Sequence, residues 1–363
     1  MIDWQHHPIL EPRDPPRRIA VLRALQLGDL LLAVPALRSI RSGFPGAEIT
    51  LIGLPWAARF ADRFDRYIDR FIEFPGYEGI VESPFSRERT RAFMSDQQAY
   101  GYDIAIQMHG NGRVSNQFVL DLGARVSVGF YTGERPTGLT LAAKYPARGA
   151  EIRRNLLIAK LLGCPNHSTR LEFPLTEDDE AEADLLLASR QGARGPLVVV
   201  HPGARSPARR WPAERFAAVA DALAQELDAT IALTGGPDEL EAVHLVESHM
   251  LTQPLQLAGL TSLGGLAAII ARAALMISND TGPAHLADAL KTPSVTIFGP
   301  ADPERWAPLD RTLHAVVRWP VGCNPCGNWE CPIDHRCLGL ISPELVTEVA
   351  LSALPRRSLV CNA

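Results

Sequence analysis

A doubly wound α/β fold, built twice, is what this 363-residue sequence predicts. Three observations carry that prediction. The length suits two domains, each able to bury a core of its own. A hydrophobic content of 46% with 21% charged residues is that of a globular chain. Apolar strand-like runs alternate with Gly/Pro turns and helical patterns, the signature of parallel βαβ units.

Residues 1–16 mix Trp, His, acids and prolines with no apolar core before a cleavage site, so they read as a flexible leader and not a signal peptide. The first domain, 17–175, opens with a buried strand at 17–23. From Asp29 the apolar residues Leu30, Leu31, Val34, Leu37 and Ile40 recur at helical spacing to Ser42, and Gly43-Phe44-Pro45-Gly46 stops that helix. Strands follow at 48–52 and 67–74. Residues 75–98 are polar and Arg-rich, which predicts a long loop or short helices beside a binding cleft. A strand at 102–108 ends in His109-Gly110-Asn111-Gly112. Helix 114–123, strand 125–130, a stretch at 129–150 rich in Gly, Pro and aromatic residues with no readable motif, and helix 151–163 complete the domain.

The second domain, 176–363, starts with an acidic helix at 177–191. The run Leu197-Val198-Val199-Val200-His201 is a buried strand, followed by the turn Pro202-Gly203-Ala204-Arg205-Ser206 and a helix from Trp211 to about Leu227. Strand 230–233 leads into Thr234-Gly235-Gly236-Pro237-Asp238-Glu239 and a further helix. Helix 263–273 precedes strand 273–277, which Asn279 and Asp280 end. Thr281, Gly282 and Pro283 then open a helix to about Leu290, and the last strand is 294–298.

Ligands of such sheets bind outside the carboxyl ends of the strands, so function should lie on the loops there. The first-domain loops carry Gly28, Asp29, His109 and Asn111, which suits a neutral or polar acceptor. The second-domain loops carry Arg209, Thr234, Gly235, Asp280, Thr281, Gly282 and His285. A helix N-terminus at Gly282 with nearby Arg suits a diphosphate.

Several classes are excluded. The net charge of −5 gives no whole-protein reason for a nucleic-acid partner. No apolar run approaches the roughly 18 residues of a membrane span, so membrane contact would be peripheral and the location cytoplasmic, at most at the inner membrane face. Neither G-x-G-x-x-G nor a Walker motif occurs, and no Asp-x-Asp triplet offers a diphosphate-bridging metal its ligands. Among the 36 basic residues only Lys144, Lys160 and Lys291 are lysine, which favours bidentate anion recognition by arginine. Cys323, Cys326, Cys331 and Cys337, with His335 among them, could in principle supply tetrahedral zinc, although their spacing is shorter than that of a zinc ribbon.

The ordered motifs resemble glycosyltransferase family 9, the ADP-heptose:lipopolysaccharide heptosyltransferases and relatives. They are Leu27-Gly28-Asp29 before Pro35-Ala36-Leu37, H-P-G-A with R-W-P, L-T-G-G-P-D-E, L-A-G-L-T-S-L, S-N-D-T-G-P-A-H-L-A, F-G-P-A-D-P-E-R-W-A-P, and C-x-x-C-G before C-L-x-L-I-S-P-E. The resemblance runs from about residue 18 to 350. It implies a GT-B fold, two Rossmann-like domains facing a central cleft, and an inverting, metal-independent transfer from an ADP-sugar co-substrate, with no bound cofactor, to a lipid-linked glycan. It implies Asp29 as general base; Thr281, Gly282 and His285 at the donor diphosphate; Asp280 at the donor sugar; and Glu239 at the ribose. Arg209 matches a position the family usually fills with Lys. The family carries a similar Cys-rich stretch without a required metal. Two alternatives stay open: a nucleotide-sugar- or glycan-binding protein of the same fold without transfer, and a transferase or epimerase using another nucleotide-sugar.

Overall fold

The computed structural model describes residues 15–188 and 195–354. Residues 1–14 of the expected leader, 189–191 of the expected acidic helix and the chain beyond 354 lie outside the described residues. The chain divides into two compact units, Met1–Arg170 and Leu171–Ala363.

In the first unit the order is β1 (Arg18–Leu22), α1 (Leu27–Leu31), α2 (Val34–Gly43), β2 (Glu48–Gly53), α3 (Ala57–Arg63) and β3 (Arg70–Glu73). It continues with α4 (Arg87–Tyr100), β4 (Ile104–Gln107), α5 (Ser115–Asp121), β5 (Val126–Tyr131), β6 (Leu141–Lys144) and α6 (Glu151–Leu161). The sheet order is β3-β2-β1-β4-β5-β6, with every pairing parallel. That is the Rossmann order, and its winding reverses between β1 and β4.

The second unit repeats it. Its elements are α7 (Glu177–Leu186), β7 (Leu197–His201), α8 (Ala213–Leu227), β8 (Thr230–Leu233), α9 (Leu240–His249), β9 (Leu255–Gln256) and α10 (Leu263–Arg272). Then come β10 (Leu275–Asn279), α11 (Gly282–Leu290), β11 (Ser294–Phe298), α12 (Pro303–Trp306), β12 (His314–Arg318), α13 (Arg336–Gly339) and α14 (Pro343–Ala353). The order β12-β11-β10-β7-β8-β9 reverses between β7 and β10, again all parallel. The central strands β7, β10 and β11 are buried along their whole length, as strands covered on both faces must be.

Two expectations need correction, and three strands are additions to the predicted elements. The helix expected over 29–42 is two helices, because Pro35 has no N–H for the Leu31 carbonyl and the ladder restarts at Val34. The irregular stretch expected at 75–98 contains the 14-residue α4, capped by Ser86. Its buried stripe is Thr90, Met94 and Gln97, two of them polar, so it has little apolar periodicity to read. Thr90 Oγ1 donates to the Gly76 carbonyl at 2.9 Å, and the Tyr102 hydroxyl donates to Gln97 Oε1 at 2.9 Å. The stretch 129–150 holds the edge strand β6. Beyond Phe298, where no strand is expected, β12 closes the second sheet. The two-residue β9, also unforeseen, forms its other edge.

Candidate functional site

At the reversal point of the first unit, Arg23 directly follows β1 and is 1% exposed. Its Nε donates to the Asp29 carbonyl at 2.8 Å, and its Nη1 donates to Asn155 Oδ1 at 3.1 Å and to the Met108 carbonyl. Its Nη2 lies 3.9 Å from Asp29 Oδ1 and 4.0 Å from Glu151 Oε1. Asn155 in turn donates to the Leu32 carbonyl at 2.9 Å. One buried cation thus ties together α1, the loop after β4, and α6. Asp29 sits in the first turn of α1, whose N-cap is Gln26, so it is not itself the cap. Its side chain is 24% exposed with the guanidinium on its inner side.

The loop after β4 is less open than its sequence suggests. His109 is nearly buried, with Nε2 3.5 Å from Glu82 Oε2, and its carbonyl accepts from Ser115 Oγ at 2.6 Å. Asn111 Oδ1 accepts from the Arg113 N–H at 3.1 Å, which makes it a turn-former. Gly112 at φ +84° is required here, since a Cβ would lie 2.0 Å from the Phe130 carbonyl oxygen. Gly28 is buried within α1.

At the reversal point of the second unit the corresponding tie is an amide. Asn279 ends β10 with no exposure; its Nδ2 donates to the Pro202 carbonyl at 2.7 Å, and its Oδ1 accepts from the Trp211 N–H at 3.0 Å. This joins the loops after β7 and β10. Trp211 is a core anchor: 2% exposed, edge-on to Phe216, with Nε1 donating to Ile341 O at 3.2 Å. On the joined loops Arg209 Nη1 lies 3.2 Å from Asp280 Oδ2 and donates to the Asp280 carbonyl at 3.3 Å. Arg209 is still 39% exposed at its side chain, and among the described residues its Nε and Nη2 have no partner. Thr281 is the N-cap of α11 and forms no side-chain cap; its hydroxyl lies 3.4 Å from the Asn279 carbonyl, a marginal contact.

His285, one turn into α11, is 4% exposed, and its Nδ1 has no partner among the described residues. Burial lowers its pKa to about 4, with Asp288 opposing and Arg209 adding to the shift. The imidazole is therefore neutral near pH 7, and it can offer a phosphate a hydrogen bond but not a charge.

Of the nucleotide-loop residues, Thr234 is wholly buried, with its hydroxyl 3.1 Å from His201 Nδ1. Gly235 admits α9, because a Cβ would meet Val243 Cγ2 at 2.8 Å. Glu239 is held by His201 Nε2 at 3.3 Å and by the Gly236 N–H at 2.8 Å. Burial alone would raise its pKa, but His201, the Gly236 N–H and Arg210 outweigh burial and lower it.

The Cys-rich segment lies against these loops. The Trp329 carbonyl accepts from Ser206 Oγ at 2.7 Å and from the Ala208 N–H at 3.1 Å, and His335 Nε2 contacts the Ala208 carbonyl at 2.6 Å. Cys323 is exposed, Cys326 and Cys331 are half-buried and Cys337 is buried, all as free thiols. Among the described residues no group of three or more His, Cys, Asp or Glu side chains is arranged to hold a metal ion. The segment thus supports the Arg209 turn through the Trp329 carbonyl and the His335 ring. Arg23 is absent from the sequence candidates, and His201 and Asn279 fall in the candidate loops without an assigned role. A signal existed for each, as a polar residue immediately following or ending an apolar strand.

Comparison with known proteins follows this geometry. The profile of a family described as glycosyltransferase family 9 (heptosyltransferase) matches residues 91–336. Lipopolysaccharide heptosyltransferase 3 of Escherichia coli K12 is 28% identical over 301 residues, covering 79% of this chain and 83% of that protein. The crystal structure of a family 9 glycosyl transferase from Veillonella parvula superposes with a TM-score of 0.76 at 25% identity, covering 93% of this chain and 97% of that one. The E. coli heptosyltransferase WaaC with ADP-2-deoxy-2-fluoro heptose shares the fold, with a TM-score of 0.62 at 23% identity over 92% and 98% of the two chains. The GT-B fold class is therefore that of these enzymes.

Two predictions follow from the geometry. Removing the buried Arg23 guanidinium strands several carbonyls and Glu151, so Arg23→Met should cost ~3 kcal/mol in urea unfolding, while Arg113→Met on the surface should change little; equal effects would contradict the hub. The unfolded imidazole of His285 takes up its proton near pH 6.5, whereas the folded one waits until about pH 4. Above pH 6.5 its burial carries no protonation penalty, and stability falls by up to about 3 kcal/mol as pH drops through that window. His285→Gln should flatten the pH dependence of unfolding between those values; an unchanged profile would contradict the neutral imidazole.

Proposed function

The chain belongs to glycosyltransferase family 9, the heptosyltransferase family, and from that premise we propose that it moves a heptose from ADP-heptose to a hydroxyl of a lipopolysaccharide core, with inversion and without a metal. The lipopolysaccharide heptosyltransferase 3 relative supports the acceptor class, and the WaaC complex supports the donor. The observation that carries the reading is the second unit's reversal point. There Asn279 brings the Arg209 turn against the start of α11, setting a cation with two unused donors beside a helix N-terminus.

In this reading Asp29 accepts the proton of the acceptor hydroxyl as its oxygen attacks the anomeric carbon. The bond from that carbon to the diphosphate oxygen breaks, and ADP leaves with the electron pair. Charge growing on the diphosphate is met by Arg209, by the backbone at Thr281 and Gly282, and by the neutral His285 ring, in place of a cation bridged by acids. Asp280, held by Arg209, contacts the donor sugar, and Glu239 contacts the ribose. Arg23 holds Asp29 from behind and so fixes its direction. A lipid-linked acceptor would bring the enzyme to the inner membrane face. Among the described residues no helix is long and apolar enough to cross a membrane, so contact would be at the surface.

Asp29→Asn should lower kcat by about 10³-fold and leave the Kd for ADP within about twofold. Wild-type turnover in that variant would remove Asp29 from the mechanism. In a thermal-shift series ADP should stabilise the protein more than GDP, UDP or dTDP at equal concentration; preference for another nucleotide would overturn the donor assignment.

A further inference from the structure

We propose that His201, the last residue of β7, is a positioning residue for the nucleoside half of the donor: it holds Glu239 so that one carboxylate oxygen is kept for the ribose hydroxyls. The proposal rests on the reading of Glu239 as the ribose contact. Nothing in the chemistry of transfer requires His201, which lies 2% exposed beneath the loops.

Two donors converge on the Glu239 carboxylate, both on one oxygen. His201 Nε2 approaches Oε2 at 3.3 Å, and the Gly236 N–H donates to the same oxygen at 2.8 Å. Among the described residues Oε1 has no hydrogen-bond partner, in a side chain that is 16% exposed. Gly203 makes room for it: a Cβ there would stand 2.2 Å from Oε1 and 2.8 Å from Oε2. One oxygen is therefore saturated from within and the other is left as an acceptor. On the far side of the ring, His201 Nδ1 is 3.1 Å from Thr234 Oγ1. The Thr234 hydroxyl also lies 3.4 Å from the Val200 carbonyl, the longer of its two contacts; when it donates to Nδ1, the ring carries its proton on Nε2 and donates it to Glu239. Thr234, His201 and Glu239 then form a directed chain of hydrogen bonds.

The location gives the chain its purpose. β8 is the second strand of its Rossmann unit, and in such units an acid beyond the second strand's carboxyl end reads the ribose hydroxyls. Glu239 is on that connection, six residues after Leu233. An unanchored glutamate would lose side-chain freedom on binding; one already fixed on two donors loses little. Hydrogen bonds to a charged group are among the stronger ones, so losing the orientation should be measurable as affinity.

The test uses ADP, 2′-deoxy-ADP and 3′-deoxy-ADP as probes of the full-length protein. Wild type should bind ADP about tenfold more tightly than at least one deoxy analogue. Glu239→Gln should lose most of that discrimination. His201→Ala should lose it as well, raising the donor KM with little change in kcat, while His201→Gln, which can still present an N–H to Glu239, should recover most of it. Gly203→Ala, which displaces the carboxylate without touching the histidine, should behave as His201→Ala does, and it serves if His201→Ala fails to fold. If Glu239→Gln abolishes discrimination while His201→Ala and Gly203→Ala retain it, the positioning role is overturned and the ribose contact stands. If wild type and Glu239→Gln both bind the three nucleotides alike, the ribose reading itself fails, and the proposal with it.

Discussion

A parallel sheet that reverses its winding leaves a crevice at the reversal, where loops from two adjacent strands diverge with polar backbone that no ladder pairs. The candidate site in each unit depends on how those loops are tied. Each unit uses one buried polar side chain at a strand end. Arg23 does so after β1, by collecting the carbonyls of Asp29 and Met108 and the side chain of Asn155. Asn279 does so at the end of β10, by joining Pro202 to Trp211. Neither is placed to meet a substrate, yet Asp29 in one unit and the Arg209–Asp280 pair in the other take their positions from them.

The electrostatics of the second site follow from burial more than from the number of charges. His285 packs into the base of α11 and is neutral, so of the proposed donor contacts only Arg209 carries positive charge. Arg209 meets Asp280 through a single nitrogen, which leaves the other edge of the guanidinium open. The planar guanidinium can hold an acid on one edge and a phosphate on another, which a lysine ammonium in its place could do only as a point charge.

The sequence made the repeated βαβ pattern legible because central strands are continuous apolar runs. Leu197–His201 and Ser294–Phe298 needed no other information. Edge elements were harder. β6, β9 and β12 pair on one side only, β6 and β9 are short, β12 is only partly buried, and α4 buries Thr90 and Gln97, whose polarity hides the helical period. In the candidate site the loop residues Asp29, Arg209, Asp280, Thr281 and His285 were readable, since strand ends announce themselves by Gly, Pro and polar residues. The second layer was not. Periodicity says where Arg23, Asn279 and His201 lie along a strand, but not which carbonyls or carboxylates fold back onto them. For the same reason Thr234 and Asn111 looked like ligand contacts, although the structure engages both within the protein.

The central claim is that Asp29 and the donor loops together perform a heptosyl transfer that needs no divalent ion. The most direct measurement is ADP release from ADP-heptose with a core-truncated lipopolysaccharide, in the presence of excess EDTA, with the product linkage read by NMR. The account predicts release that requires the acceptor, persists in EDTA and yields a single product of inverted anomeric configuration. Release abolished by EDTA and restored by a divalent cation, or a product of retained configuration, would contradict it.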